Sequence, residues 1–236
     1  MTRRRPIPRN DSEQEVNRII AELDELESSR EEPDLSRLAV YAGNPDSFVR
    51  LKVAELLGFH PSGQADRLLL TLLHDRDWLV RAEACESLGW SRSPEALEKL
   101  KQAAEFDPSV AVRVYALLSI GDLAERLYGN PVADRRFVKR ILLTHKSLHI
   151  KLACNAVLVQ WGEPDFLRPL IGALSKREAN IRAAAANRLL ELVSPDRAKI
   201  IALGAAEALL FEPPRGIGST LAEVLDACRD ALHPSE

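Results

Sequence analysis

A short motif recurs along this chain at nearly constant spacing, and this repetition limits the possible folds more than any other feature. Residues 77–89 read Asp-Trp-Leu-Val-Arg-Ala-Glu-Ala-Cys-Glu-Ser-Leu-Gly, and similar segments end at Gly58 and Gly121. The basic residue of the motif recurs at spacings of 31, 32, 38 and 31 residues. It stands at Arg50, Arg81, Arg113, Lys151 and Arg182. A period of about 20 to 50 residues is typical of chains that stack one small structural unit.

Each unit reads as two helices. In the second unit, Ser62 can cap a first helix whose apolar residues follow at helical spacing. The second helix should run from about Trp78 to Leu88, and we expect Gly89 to end it in a left-handed conformation that glycine tolerates. The longer spacing of 38 residues before the fourth unit implies an insertion near residues 127–132. Because a single helix pair cannot bury its own apolar face, the pairs must stack on one another.

The run Asp-x-x-Val-Arg-x-x-Ala-x-x-x-Leu-Gly resembles the HEAT repeat, in the short form also found in phycobilisome-lyase-like proteins. The best match is made by Asp77, Val80, Arg81, Ala84, Leu88 and Gly89. The resemblance is clear over residues 35–195 and implies an all-α, armadillo-like fold. We therefore expect a right-handed α-solenoid of about five to six HEAT-like helix pairs, with capping helices near residues 12–29 and 217–232.

The resemblance also implies a ladder of hydrogen bonds between repeats, made by the aspartates and arginines of the motif. Its members would be Asp46, Arg50, Asp77, Arg81, Asp107 and Arg113. We expect these residues to be structural and not to contact a partner.

Charge is distributed unevenly between the start of the chain and the rest of it. The net charge is −3, but residues 1–10 carry four arginines and no acid, so the remainder carries −7. We predict a disordered basic tail over residues 1–11 and a single solenoid domain over residues 12–236. An acidic body repels phosphate backbones, which disfavours nucleic acid as a partner. A basic cluster at Arg135, Arg136, Lys139 and Arg140 keeps nucleic-acid binding open as an alternative.

Residues that would support catalysis, a metal or a cofactor are scarce in the sequence. Cys85, Cys154 and Cys228 form no CxxC pair, and no histidine is followed by the glutamate that a di-iron HEAT-like hydroxylase needs. We therefore predict a non-enzyme without metal or cofactor. The alternative is a HEAT-like enzyme, similar to a bilin lyase or to an alkylpurine DNA glycosylase. No apolar run is long enough to span a bilayer, so we expect a cytoplasmic protein.

The second helices offer a candidate binding face. Positions three and seven after the basic residue are apolar in every unit and should face the core. Positions two, five and nine should face the concave side, where units one to three carry acidic and aromatic residues. The candidate partner-binding residues are Lys52, Glu55, Phe59, Glu83, Glu86, Trp90, Tyr115 and Asp122.

Carboxylates beside aromatic rings suit a basic protein or peptide. We therefore predict a monomeric, non-catalytic protein-protein interaction module that binds a basic protein. Two roles stay open: a scaffold for a larger assembly, and a bacterial immunity protein that inhibits a toxin.

Overall fold

The computed structural model describes residues 9–29, 32–211 and 218–233, and these residues form helices, turns and loops without any strand. The helices are α1 (Arg9–Ser29), α2 (Leu35–Tyr41), α3 (Ser47–Phe59), α4 (Gly63–Leu72), α5 (Trp78–Leu88), α6 (Pro94–Phe106), α7 (Val110–Tyr128), α8 (Val132–Thr144), α9 (Leu148–Gln160), α10 (Leu167–Ala173), α11 (Ala179–Glu191), α12 (Ala198–Phe211) and α13 (Gly218–Leu232). One 3-10 turn, Pro164–Phe166, precedes α10. Twelve described helices follow α1, the number that six helix pairs require, and the predicted all-α solenoid fold is confirmed.

The chain divides into two compact units, Met1–Ser119 and Ile120–Glu236. In the first unit α3 packs on α5, and in the second unit α9 packs on α11, which packs on α13. Each unit is therefore a stack of helix pairs, the construction of an α-solenoid. The single domain that we expect over residues 12–236 stays a prediction. Helix α1 begins at Arg9, three residues earlier than expected, and the rest of the predicted tail lies outside the described residues.

The core is formed by the positions that the repeat pattern selects. The pairs at positions three and seven are fully buried. They are Val53 and Leu57, Ala84 and Leu88, Ala116 and Ile120, Cys154 and Leu158, and Ala185 and Leu189. Burying one large aliphatic side chain stabilises a fold by about 1.5 to 3 kcal/mol, so these stripes hold successive second helices together. Polar side chains fix the helix starts: Ser62 accepts from the backbone N–H of Ala65, as the sequence predicts.

The left-handed conformation expected at Gly89 is wrong. Gly89 has φ −55° and ψ −27°, which is right-handed helical backbone. The described glycines with positive φ are Gly129 (64°) and Gly162 (84°), which follow the last turns of α7 and α9. The sequence places an insertion near residues 127–132. In the structure α7 continues beyond Gly121 to Tyr128 before the chain turns, so the additional residues lengthen this helix.

Close packing explains the recurring glycine instead. A Cβ atom built on Gly58 would lie 2.6 Å from the Oγ atom of Ser87 on the neighbouring second helix. A Cβ atom on Gly121 would lie 3.1 Å from a methyl carbon of Val157, which occupies the same repeat position as Ser87. The Ser87 hydroxyl also donates to the carbonyl oxygen of Ala54 at 2.8 Å. Glycine at this position therefore lets successive second helices approach closely.

Candidate functional site

The arginine of each motif is bound between neighbouring repeats. Arg50 donates through Nε and Nη2 to the two carboxylate oxygens of Asp75 at 2.6 and 2.7 Å. Arg81 makes the same paired contact with Asp107 at 2.8 and 3.0 Å. Burial is the largest single influence and opposes ionisation of Asp75. The hydrogen bonds from Arg50 and from the backbone N–H of Asp77, together with the charges of Arg50 and Arg76, outweigh it and hold the pKa of Asp75 below its ordinary value. These arginines are therefore occupied inside the protein.

Of the three aspartates that we expect in this ladder, only Asp107 binds a motif arginine of another repeat. Asp46 and Asp77 cap α3 and α5, where they accept the backbone N–H groups of Phe48 and Leu79. The carboxylate that binds Arg50 is Asp75, six residues before the next basic residue, and Asp107 holds the same position relative to Arg113.

The sequence could have shown this register, because Asp75 and Asp107 align with each other and not with Asp77.

The motif arginine also binds the main chain of its own repeat. Arg81 donates through Nη1 to the carbonyl oxygen of Asp75 at 2.9 Å. Arg113 donates to the carbonyl oxygens of Ala104 and Glu105 at 3.1 and 2.9 Å.

Five of the predicted partner-binding residues line one cavity in the first unit. Its volume is about 500 Å³, and it lies beside the C-terminal halves of α3 and α5. We call it the acidic pocket. Its lining residues are Glu55, Gly58, Phe59, Pro61, Glu83, Glu86, Ser87 and Trp90. The helical spacing of positions five and nine places a carboxylate and an aromatic ring from each helix on the same side.

The two aromatic rings of the acidic pocket are unusually open to solvent. Phe59 and Trp90 are each 61% exposed. Large aromatic side chains bury well when they have a protein surface to pack on, so exposed rings beside a cavity make it a candidate binding surface.

The carboxylates of the acidic pocket repel one another. Burial is the main cause that raises the pKa of Glu83 to about 7 from an ordinary value of 4.5. The charges of Glu86 and Glu55 raise it further, while the nearby ammonium group of Lys52 lowers it. A cation placed in the pocket would relieve this repulsion.

The three other predicted binding residues have different surroundings. The ammonium group of Lys52 contacts Asp24 at 3.1 Å, Glu27 at 3.0 Å and Glu55 at 2.9 Å. Lys52 therefore ties α1 to α3 and is not displayed to a partner, contrary to our expectation. Tyr115 is 39% exposed in the first unit, outside the acidic pocket.

Asp122 lies on the part of α7 that belongs to the second unit. There it accepts from the side-chain amide of Gln160 at 2.9 Å.

The basic cluster on α8 is partly neutralised. Glu163 lies 3.3 Å from the Nε atom of Arg135 and 2.6 Å from the ammonium group of Lys139. Arg135 also donates to the carbonyl oxygen of Trp161 at 2.8 Å. These contacts reduce the positive charge that the sequence alternative of nucleic-acid binding requires.

The described part of the chain contains no group of three or more His, Cys, Asp or Glu residues that could hold a metal ion. Its three cysteines, Cys85, Cys154 and Cys228, are buried free thiols. Burial raises the pKa of Cys154 to about 12 and raises that of Cys85 as well. Among the residues that the structure describes, no helix is both long and apolar enough to cross a membrane.

Comparison with solved structures finds similar chains at low sequence identity. The chain is similar to the complex of CpcE and CpcF of phycocyanin lyase from Nostoc (17% identity, 86% of this chain and 96% of that chain covered, TM-score 0.46). It is similar to the Escherichia coli protein YibA (14% identity, 99% of this chain and 100% of that chain covered, TM-score 0.49). It is also similar to an archaeal HEAT-like repeats protein from Thermococcus onnurineus (16% identity, 97% of this chain and 100% of that chain covered, TM-score 0.44).

No curated protein matches the chain. Residues 35–121 match the family model described as HEAT repeats. This match covers the repeats in which the motif is most regular and in which the structure shows stacked helix pairs. The repeats of residues 35–121 are therefore of the HEAT type.

Proposed function

We propose that this protein is a non-catalytic interaction module that binds a basic segment of another protein in the acidic pocket. HEAT repeats are a general type of protein-interaction scaffold, because stacked helix pairs display an extended surface. One observation carries the proposal: three carboxylates and two exposed aromatic rings converge on one cavity.

A lysine or arginine side chain fits the chemistry of this pocket. Its charge would offset the repulsion among Glu55, Glu83 and Glu86, and its methylene groups would cover Phe59 and Trp90. A cation over an aromatic face gains about 0.5 to 2 kcal/mol, with tryptophan the best ring. Because a bound cation favours the ionised carboxylate, binding should release a proton from Glu83 near neutral pH.

Two versions of this function differ in stoichiometry and affinity. An inhibitor such as an immunity protein would hold one basic toxin in a tight one-to-one complex, formed quickly through electrostatic steering. A scaffold would bind several partners more weakly. The acidic pocket supports both versions, and the stoichiometry of the purified complex separates them.

The experiment compares three tagged proteins in an affinity purification from the native host, followed by mass spectrometry. These are the wild type, a pocket variant (Glu55→Gln, Glu83→Gln and Glu86→Gln) and a charge-matched control (Glu95→Gln, Glu223→Gln and Asp230→Asn). The control residues are exposed and lie outside the pocket. Circular dichroism would verify that all three are folded.

A basic protein that the wild type and the control retain, and the pocket variant loses, would support the proposal. Equal retention by all three proteins would move the binding site elsewhere. Retention by the wild type alone would show that net charge, and not the pocket, determines binding.

The enzymatic alternative, a bilin lyase-like or alkylpurine DNA glycosylase-like activity, has one observation in its favour. A partly buried carboxyl group with a pKa near 7, such as Glu83, is suited to general acid or base catalysis. Turnover of a bilin adduct or release of alkylated bases from DNA, lost in Glu83→Gln, would favour it over the interaction module. Absence of turnover in both assays would favour the module.

A further inference from the structure

A second cavity lies in the second unit, far in sequence from the acidic pocket and of opposite character. Its volume is about 480 Å³, and its walls come from α8, α9, α10 and α11 and from the 3-10 turn. We call it the apolar cavity. Most of its lining is aliphatic or aromatic, including Leu142, Leu148, Leu152, Phe166, Ala173 and Ile181. Small-molecule sites usually have about 300 to 1,000 Å³, apolar walls and a few polar groups.

A buried polar side chain opens into this cavity. Asn155 of α9 is only 4% exposed and lines the apolar cavity. Its amide forms no hydrogen bond with the residues that the structure describes. A buried amide without a hydrogen bond costs about 1 to 3 kcal/mol, so such groups normally have a partner. The Asn155 amide is therefore able to form a hydrogen bond with a molecule in the cavity.

Two cations complete the lining. Lys151 and Lys176 belong to the same cavity, which has no acidic residue in its walls. Within the described ranges, neither ammonium group forms an ion pair with a carboxylate. The cavity thus combines an apolar volume, a hydrogen-bonding amide and uncompensated positive charge.

We propose that the apolar cavity binds a small amphipathic carboxylate. Its alkyl or aryl part would lie against Leu152, Phe166 and Ile181, and its carboxylate would lie near Lys151 and Lys176. The Asn155 amide would donate a hydrogen bond to the bound molecule. This site is independent of the proposed function, because it uses other residues in the other unit.

The test titrates the full-length protein with decanoate below its micelle concentration by isothermal calorimetry. Gly172 supplies a blocking variant that should fold. A Cβ atom on Gly172 meets no heavy atom within 4 Å, and Gly172 lines the cavity. Gly172→Leu would therefore add a side chain to the cavity wall without a clash at its Cβ atom, and leucine is a better helix former than glycine. Gly63→Leu is the matched control, since Gly63 also has no neighbour within 4 Å and lies in the first unit.

We expect decanoate to bind the wild type and Gly63→Leu equally and Gly172→Leu at least about ten-fold more weakly. Octanoate lacks two methylene groups and should bind about ten-fold more weakly than decanoate. The Lys151→Gln/Lys176→Gln variant should lose about five-fold in affinity, since two partly exposed ion pairs are removed.

Four results would overturn the proposal. The first is an absence of binding to the wild type. The second is equal binding to Gly172→Leu, which would place decanoate elsewhere. The third is that decanol or decyltrimethylammonium binds as tightly as decanoate, which would show that the lysines select no anion. A protein partner released by Gly172→Leu but not displaced by decanoate would also overturn it, because the occupant would then be a macromolecule.

Discussion

Replacing Glu83 by glutamine should stabilise the protein at pH 8 and leave its stability nearly unchanged at pH 5. The folded-state pKa of Glu83, about 7, lies above its ordinary value of 4.5, so the native carboxyl keeps its proton to higher pH than the unfolded one. Stability is therefore lost as the pH rises from about 4.5 through 7. Glutamine carries no charge at either pH and avoids this loss.

The size of the effect follows from the same shift. For a fully buried group, the difference between 4.5 and about 7 would correspond to about 3 kcal/mol. Glu83 is only partly buried, and solvent screens its repulsion from Glu86 and Glu55. We therefore expect a gain of about 1 kcal/mol in the free energy of unfolding at pH 8.

Urea denaturation at both pH values measures this difference, and NMR titration of the Glu83 carboxyl group measures its pKa directly. Glu86→Gln removes a neighbouring charge and should lower the pKa of Glu83. A Glu83→Gln protein that is equally stabilised at both pH values, or destabilised at pH 8, would refute the reasoning about repulsion in the pocket.

Three further predictions concern the packing between repeats. Arg50→Met leaves the carboxylate of Asp75 buried without its cation, so the free energy of unfolding measured by urea denaturation should fall by about 3 kcal/mol. A fall of less than about 1 kcal/mol would show that the ladder is not structural. Gly58→Ala should lower the free energy of unfolding by about 1 to 3 kcal/mol, because the added methyl group would clash with Ser87. Gly63→Ala should leave the stability unchanged or raise it slightly, and equal effects of the two substitutions would contradict the close-approach explanation. Native protein should resist thiol labelling at all three cysteines until it unfolds, and fast labelling at any of them would show that its burial is incomplete.

Much of the candidate site follows from the register of the repeat. Once the second helices are aligned on their basic residue, helical geometry places Glu55 and Phe59 on the same side as Glu86 and Trp90. The sequence could not show that Lys52 turns to the carboxylates of α1, because that contact joins residues about 25 positions apart across two helices.

The acidic pocket also depends on how closely α3 and α5 approach each other, which the sequence pattern does not show. The raised pKa of Glu83 requires burial and the like charge of Glu55 on α3, and both arise only when α3 and α5 pack. The third cause, the charge of Glu86, follows from helical spacing within α5. The apolar cavity left no trace in the repeat pattern either. Its lining comes from four helices and a 3-10 turn, and Asn155 reads in sequence as an ordinary helical position.

The sequence by itself determined the all-α class, the helix pairs and the buried stripes, because these depend on local periodicity and on short-range capping. Only the tertiary structure decided the role of the repeated glycine. Sequence suggests a left-handed helix end, but Gly58 and Gly89 are right-handed and lie where the next helix approaches within contact distance. The physical reason is that backbone conformation at a glycine is unrestricted by its own side chain, so the packing of the neighbouring repeat selects it.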